Sequence, residues 1–313
     1  MPGPLPSGWT GSCAAPSVRD MADAPPYRQI GIMGTGRVAA AIGLALARHS
    51  VDPLWIWGRD PAKSTALAAS IGRARAATCM ADIADACDLI VLAVSDDALE
   101  LCIHDLAAVA GATSPFAFHV SGRSGAAILS PLDARGWRTA AVHPTMTFTS
   151  DPRAEVRRMI GARFAVTGST RQAGAEAGTI VACLGGVPVD IAEAHRPLYH
   201  AALCHGANHL VTLIAGASEA LAAAGVEDPA ALLAPLARAA LENGLGKGMA
   251  GLSGPLLRGD AATIAGHVSA LRKDCPSLLP PYRAMALATL DALEGTNRSA
   301  RPGACRSLLE TDG

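Results

Sequence analysis

Between residues 28 and about 168, short apolar runs alternate with longer Ala-rich stretches whose apolar positions recur at helical spacing. That alternation predicts βα units feeding a parallel sheet. Strands are expected at 28–33, 54–57, 88–94, 116–120 and 139–143. The run DLIVLAV at 88–94 is apolar beyond its first residue, as in a strand covered on both faces. A helix is expected over 37–49, and Asp60-Pro61 predicts another, with Asp60 as its N-cap and Pro61 in the first helical position. One more strand pair is expected at 162–167 and 187–191. Ala/Leu-rich helical segments follow at 197–224, 228–243, 260–272 and 278–294, with Gly225, Gly246 and Gly259 at or near the breaks. The fold class is therefore α/β: a doubly wound parallel sheet over 28–168, then an all-helical domain over 169–294. Residues 1–27, rich in Pro, Gly and Ser, are expected to be a disordered extension, and 295–313 a frayed tail.

Composition narrows the partners. The 26 basic and 27 acidic side chains leave a formal net charge of −1, which removes the electrostatic case for nucleic acid or an anionic membrane. Apolar residues at 50% and charged ones at 17% mark a globular chain. Eight cysteines without a CxxC pair fit neither a zinc knuckle nor a disulfide framework, and read as reduced, mostly buried thiols of a cytoplasmic protein. The first 27 residues lack the basic and apolar regions of a signal peptide, and Met1 and Met21 both fit as the start of translation. Residues 201–218 carry no Asp, Glu, Lys or Arg, yet His205, Asn208, His209 and Thr212 would be costly in lipid. A buried helix is expected there. Leu203, Leu210, Val211, Leu213, Ile214 and Leu221 cover more than one of its faces, which predicts a homodimer built on the helical domain.

The first strand runs into Gly34-Thr35-Gly36-Arg37-Val38-Ala39, a GxGxxA turn that opens a helix. Gly34 permits the tight turn, Gly36 lets backbone approach a pyrophosphate, and Ala39 lets helix pack close to strand. The helix N-terminus adds free N–H groups and a positive dipole end, so a dinucleotide is expected along Gly34, Thr35, Gly36, Arg37 and Val38. The second strand ends Trp57-Gly58-Arg59-Asp60, where an NAD enzyme places its acid. Arg59 suits a 2′-phosphate and Asp60 is taken up by the helix cap, so the expected cofactor is NADP as NADPH. Ser95, after the 88–94 strand, falls where the nicotinamide ribose passes in such sheets; a helix-capping role fits it nearly as well.

These motifs recur together with LAVSDDAL, HVSG at 119–122, His143-Pro144-Thr145-Met146-Thr147-Phe148, Tyr199-His200 with Asn208, and Ser253-Gly254-Pro255 before Arg258-Gly259-Asp260. Over about residues 28–294 the chain resembles Rossmann-like NADP-dependent oxidoreductases whose C-terminal helical domain was long catalogued as of unknown function. These are similar to deazaflavin-dependent NADP reductases, and some look like an alternative class of ketopantoate reductase. In its His143-Pro144 the chain also resembles prephenate dehydrogenases, which carry a similar His-Pro at a strand end. The wider β-hydroxyacid dehydrogenase group has a Lys and, one turn later, an Asn on the first long helix. Asn208 matches that Asn, but the Lys position falls on Cys204.

The expected chemistry follows. His143, His200 and Asn208 are the catalytic candidates, with His143 able to protonate a developing alkoxide; the alternative for His143 is a turn residue. Ser121, Gly122, Ser253 and Arg258 are candidates for holding a carboxylate or phosphate, against ordinary turns for the Ser-Gly pairs and a pairing with Asp260 for Arg258. His205 and His209 have i, i+4 spacing but lack a third ligand, so no metal site is expected. The leading reading is an NADPH-dependent reductase of a small carbonyl compound bearing a carboxylate, of ketopantoate type. The alternatives are an imine reductase resembling pyrroline-5-carboxylate reductases, and an NADP-binding sensor without turnover.

Overall fold

A computed structural model describes residues 26–295 and 302–311. The expected extension at 1–27 lies, but for its last two residues, outside them. The chain divides into two compact units between Leu203 and Cys204.

The first unit is built on one eight-stranded sheet. In chain order it contains β1 (Ile30–Met33), α1 (Arg37–Leu46), β2 (Leu54–Trp57), α2 (Pro61–Ile71), β3 (Ala74–Ala76), α3 (Met80–Ala86), β4 (Leu89–Leu92), α4 (Asp96–Val109), β5 (Phe116–His119), α5 (Ser130–Asp133), β6 (Arg138–Pro144), α6 (Pro152–Met159), β7 (Arg163–Gly168), α7 (Arg171–Cys183) and β8 (Val187–Asp190). The strand order is β3-β2-β1-β4-β5-β6-β7-β8. All neighbours are parallel except β6 and β7, which are antiparallel. Strand order reverses between β1 and β4, the switch point at which open α/β sheets hold ligands beyond their strand ends. β1, β4 and β5 are buried at every position, which explains their apolar runs. Asp60 caps α2 as expected, accepting from the amides of Ala62 and Lys63.

The strand pair expected past residue 162 is present, but it extends the sheet. β8 hydrogen-bonds in parallel to β7, and a parallel neighbour needs a crossover, here α7, whose Ala173, Ala177, Ile180 and Val181 are buried. The division into compact units falls within α8 (Arg196–Ala223), past the expected 168/169.

The second unit holds the rest of α8, then α9 (Pro229–Lys247), α10 (Pro255–Arg258), α11 (Ala261–Asp274), α12 (Leu279–Glu294) and α13 (Pro302–Glu310). Its core joins Ile264 and Val268 of α11 to Ala286 and Leu290 of α12 and Cys305 and Leu309 of α13. The tail expected over 295–313 is corrected here. Residues 302–310 form a helix because Cys305 and Leu309 close that core and Arg306 binds Asp291 at 2.6 Å and Glu294 at 3.0 Å.

The expectation of a buried helix over 201–218 is not met within one chain. In α8 only Arg196 is buried, and in α9 no residue is. Val211 is 70% exposed, Leu236 68% and Leu245 81%. No described helix is long and apolar enough to cross a membrane.

Candidate active site

Two groups of side chains gather at one edge of the sheet, the carboxyl ends of β1, β2, β4, β5 and β6. The first surrounds a cavity of about 240 Å³ lined by Gly34, Thr35, Gly36, Arg59 and Ser95, with Trp57, Met80, Leu101 and Asp105 among its other walls. Gly34 has φ +124°, and a Cβ there would lie 2.2 Å from the Ala93 carbonyl oxygen, so the tight turn needs glycine. A Cβ on Gly36 would meet nothing within 4 Å. Gly36 is the N-cap of α1 and gives no side-chain cap bond, which leaves first-turn amides open to an anion. Arg37 and Val38 keep their place in the first turn of α1, and their side chains are engaged elsewhere. The Arg37 guanidinium donates to the Phe148 carbonyl at 3.1 Å, and Val38 packs against the core. Arg59 is exposed on the cavity wall, while Asp60 faces Lys63 at 4.0 Å. Cys102, also in the wall, is buried and pushed up to about 11 by that burial, which keeps it a thiol.

The second group forms around His143, the sixth residue of β6. Its backbone lies in the antiparallel ladder opposite Ala165, so strand pairing sets its place. Nδ1 of His143 is 2.8 Å from the Tyr199 hydroxyl, and that hydroxyl is 2.9 Å from Oγ1 of Thr145. The His200 ring stands edge-on to His143 with centroids 6.4 Å apart. Gly122 lets both rings approach: a Cβ there would lie 2.7 Å from Cδ2 of His200 and 2.9 Å from Nε2 of His143. Beneath them Arg196 is 1% exposed. It donates to Oγ1 of Thr167 and to the carbonyls of Ala141 and Ala165. Its Nη1 has no hydrogen-bond partner among the described residues, and no carboxylate within ion-pair distance is found there either.

Burial, then the Arg196 charge, then His200, push His143 down to about 4, so its ring is neutral near neutral pH. His119, fully buried, is also held near 4, chiefly by burial. Its Nδ1 accepts from the Ser121 amide, which makes Nε2–H the donor to the Gly125 carbonyl. The Ser121 hydroxyl in turn accepts from the Ser124 amide. His119 and Ser121 therefore shape the loop that presents Gly122. An Arg123–Asp96 pair at 3.7 Å ties this loop to the start of α4.

The structure thus brings together two sets of expected residues: Gly34, Thr35, Gly36, Arg59 and Ser95, and His143, His200, Ser121 and Gly122. Asn208, Ser253 and Arg258 belong to the second unit, where all three are exposed. His205 and His209 approach with Nδ1 atoms 3.0 Å apart, and no group of three metal-binding side chains exists among the described residues. Sequence reasoning gave no role to Arg196 or Thr145. A lone cation at the head of an apolar helix was the available signal for Arg196; Thr145 had none beyond its place in the His-Pro-Thr motif.

Residues 15–144 match the Rossmann-like domain family, and residues 162–289 match a domain of unknown function (DUF2520). The chain therefore joins a Rossmann-like domain to a C-terminal DUF2520 domain. A comparison with curated protein sequences gives no match. Among solved structures, a putative NADP oxidoreductase from Bacteroides fragilis is 18% identical over 84% of this chain and 97% of its own, with a TM-score of 0.67. An imine reductase from Myxococcus stipitatus in complex with NADP+ is 16% identical over 90% and 100%, with a TM-score of 0.64. A reductive aminase from Aspergillus terreus in complex with NADPH and ethyl levulinate is 18% identical over 90% and 98%, with a TM-score of 0.63. At these identities the likeness is one of fold.

Proposed function

We propose that the protein is an NADPH-dependent oxidoreductase that reduces a small carbonyl compound bearing a carboxylate. The observation that carries the reading is the cavity in which Gly34, Thr35, Gly36, Arg59 and Ser95 meet at the switch point of the sheet. These residues fit NADP. The open space over Gly36 and the uncapped start of α1 suit a pyrophosphate, and Arg59 suits a 2′-phosphate. Bound NADPH supplies a hydride. His143 protonates the oxygen, with Gly122 and His200 beside it and Asn208 as a further catalytic candidate. Ser253 and Arg258 remain candidates for the substrate carboxylate. NADPH should bind more tightly than NADH, and Arg59→Ala should erase about tenfold or more of that preference. Equal dissociation constants for the two cofactors by calorimetry would remove the assignment.

The second reading is reduction of a C=N bond, favoured by the fold likeness to an imine reductase and a reductive aminase. An iminium arrives already protonated and needs no acid, whereas a ketone does. NADPH oxidation scored against 2-oxo acids and cyclic imines separates the two, and tight NADPH binding without turnover on either points to the sensor.

We also propose a homodimer. The exposed leucines and valine of α8 and α9 form an apolar surface that one chain leaves bare, and a second copy would cover it.

A further inference from the structure

A histidine neutral at physiological pH poses a chemical problem for a proton donor: its Nε2–H is a weak acid unless Nδ1 gains a proton as Nε2 loses one. Nδ1 of His143 has one partner in the described structure, the Tyr199 hydroxyl at 2.8 Å, and Thr145 Oγ1 stands 2.9 Å from the same hydroxyl. Nε2 lies on the other side of the ring, toward Gly122. The groups that bear on the ring are His119 from β5, Asp96 from α4, and Arg196, Tyr199 and His200 from α8, so no carboxylate is hydrogen-bonded to it in the role a Ser-His-Asp triad gives to its acid. Arg196 lies under the phenol, with its guanidinium carbon 5.8 Å from the Tyr199 ring centroid.

We propose that Tyr199 is a positioning residue that fixes His143 as the Nε2–H tautomer and replaces the proton His143 gives up, with buried Arg196 compensating the charge that remains. Thr145 donates to the phenol oxygen, and the phenol O–H donates to Nδ1. When the substrate oxygen takes the Nε2 proton, the Nε2–H bond breaks as the product O–H forms. Nδ1 then takes the phenol proton, so the imidazole stays neutral and a tyrosinate is left. Solvent then returns one proton to Nε2 as Nδ1 gives its proton back to the tyrosinate, which restores the Nε2–H tautomer before the next turnover. A neutral histidine donates in this way without ever becoming imidazolium. Arg196 is suited to its part because no carboxylate lies within ion-pair distance of it among the described residues, Glu193 acting on its charge only from further off. Burial raises the phenol above its ordinary value, opposed by the Thr145 bond and by Arg196, so Tyr199 is protonated at rest.

The inference rests on His143 being the donor, but its structural half needs no substrate. The full chain labelled with 15N-histidine, read by NMR from pH 5 to 8, should show His143 as neutral Nε2–H, with its signal assigned by loss in His143→Gln. Tyr199→Phe should let the Nδ1–H form rise several-fold, and Thr145→Val should do so to a lesser extent. A wild-type ring protonated at Nδ1, or a Tyr199→Phe spectrum with unchanged tautomers, would overturn the proposal. With the 2-oxo acids and imines as probes, wild-type kcat should fall at alkaline pH as the phenol ionises. Tyr199→Phe should lower kcat about 10²-fold, lose that alkaline limb and leave the Kd for NADPH unchanged. Normal turnover by His143→Gln would instead defeat the donor role of His143 and with it the proton route, while the tautomer result stands as a separate measurement.

Discussion

Gly34 and Gly36 sit two residues apart and are required for different reasons, which makes them separable. Gly34 is in the left-handed region and touches the Ala93 backbone, so Gly34→Ala should cost about 2 kcal/mol or more of stability as well as cofactor binding. Gly36 has an ordinary φ of −80° and open space around a Cβ, so Gly36→Ala should fold and melt as wild type while NADPH affinity falls tenfold or more. Denaturant curves with calorimetry on both variants check this, and a stable Gly34→Ala protein would contradict it. His119 offers a different test. Its folded value near 4 lies below the ordinary 6.5, so the unfolded chain binds the extra proton first. Stability is then complete above about pH 6.5 and declines as pH falls toward 4, by roughly 2–3 kcal/mol from this residue. His143 adds to the decline with the same sign. His119→Gln should flatten part of it in urea titrations at pH 7, 5.5 and 4.5, and an unchanged slope would mean that His119 titrates normally in the fold.

Among the elements, those with one strong local signal were legible in the sequence. The buried strands showed as apolar runs, α2 through its Asp-Pro start, and the long helices α8, α9, α11 and α12 through period and glycine breaks. β3 was not, because three half-exposed residues, Ala-Arg-Ala, carry no period. α13 was hidden behind Gly295 and the polar residues that follow, and its helix depends on closing a core whose other walls lie on α11 and α12. Leu309→Ala should therefore lower the stability of the second unit by about 2–4 kcal/mol, measurable as a reduced melting temperature. A change under half of that would mean α13 is a loose appendage. In the site, His143, Arg59 and the glycine turn were readable because each ends or follows a strand. The Thr145–Tyr199–His143 contacts were not, since they join residues up to 56 positions apart once β6 and α8 meet.

At the scale of the whole molecule, large apolar side chains of α8 and α9, Val211, Leu236 and Leu245 among them, stand mostly exposed in the single chain. Sedimentation at micromolar concentration should give a dimer, and Leu236→Glu with Leu245→Glu should shift it toward monomer. A wild-type monomer would leave that surface to another partner. Within the first unit, β6 has a wider consequence. His143 is held in the hydrogen-bonded ladder between β6 and β7, two residues past the last β5 pairing at Ala141, and is not carried by a loop. Displacing it requires opening of the β6–β7 pairing, whereas a loop residue is freed at small cost. Heat and denaturant should therefore thin out the number of competent molecules without blurring the reaction in those that survive. Specific activity per native molecule would then hold level up to the melting transition, and the protein would fail as a switch fails, by headcount.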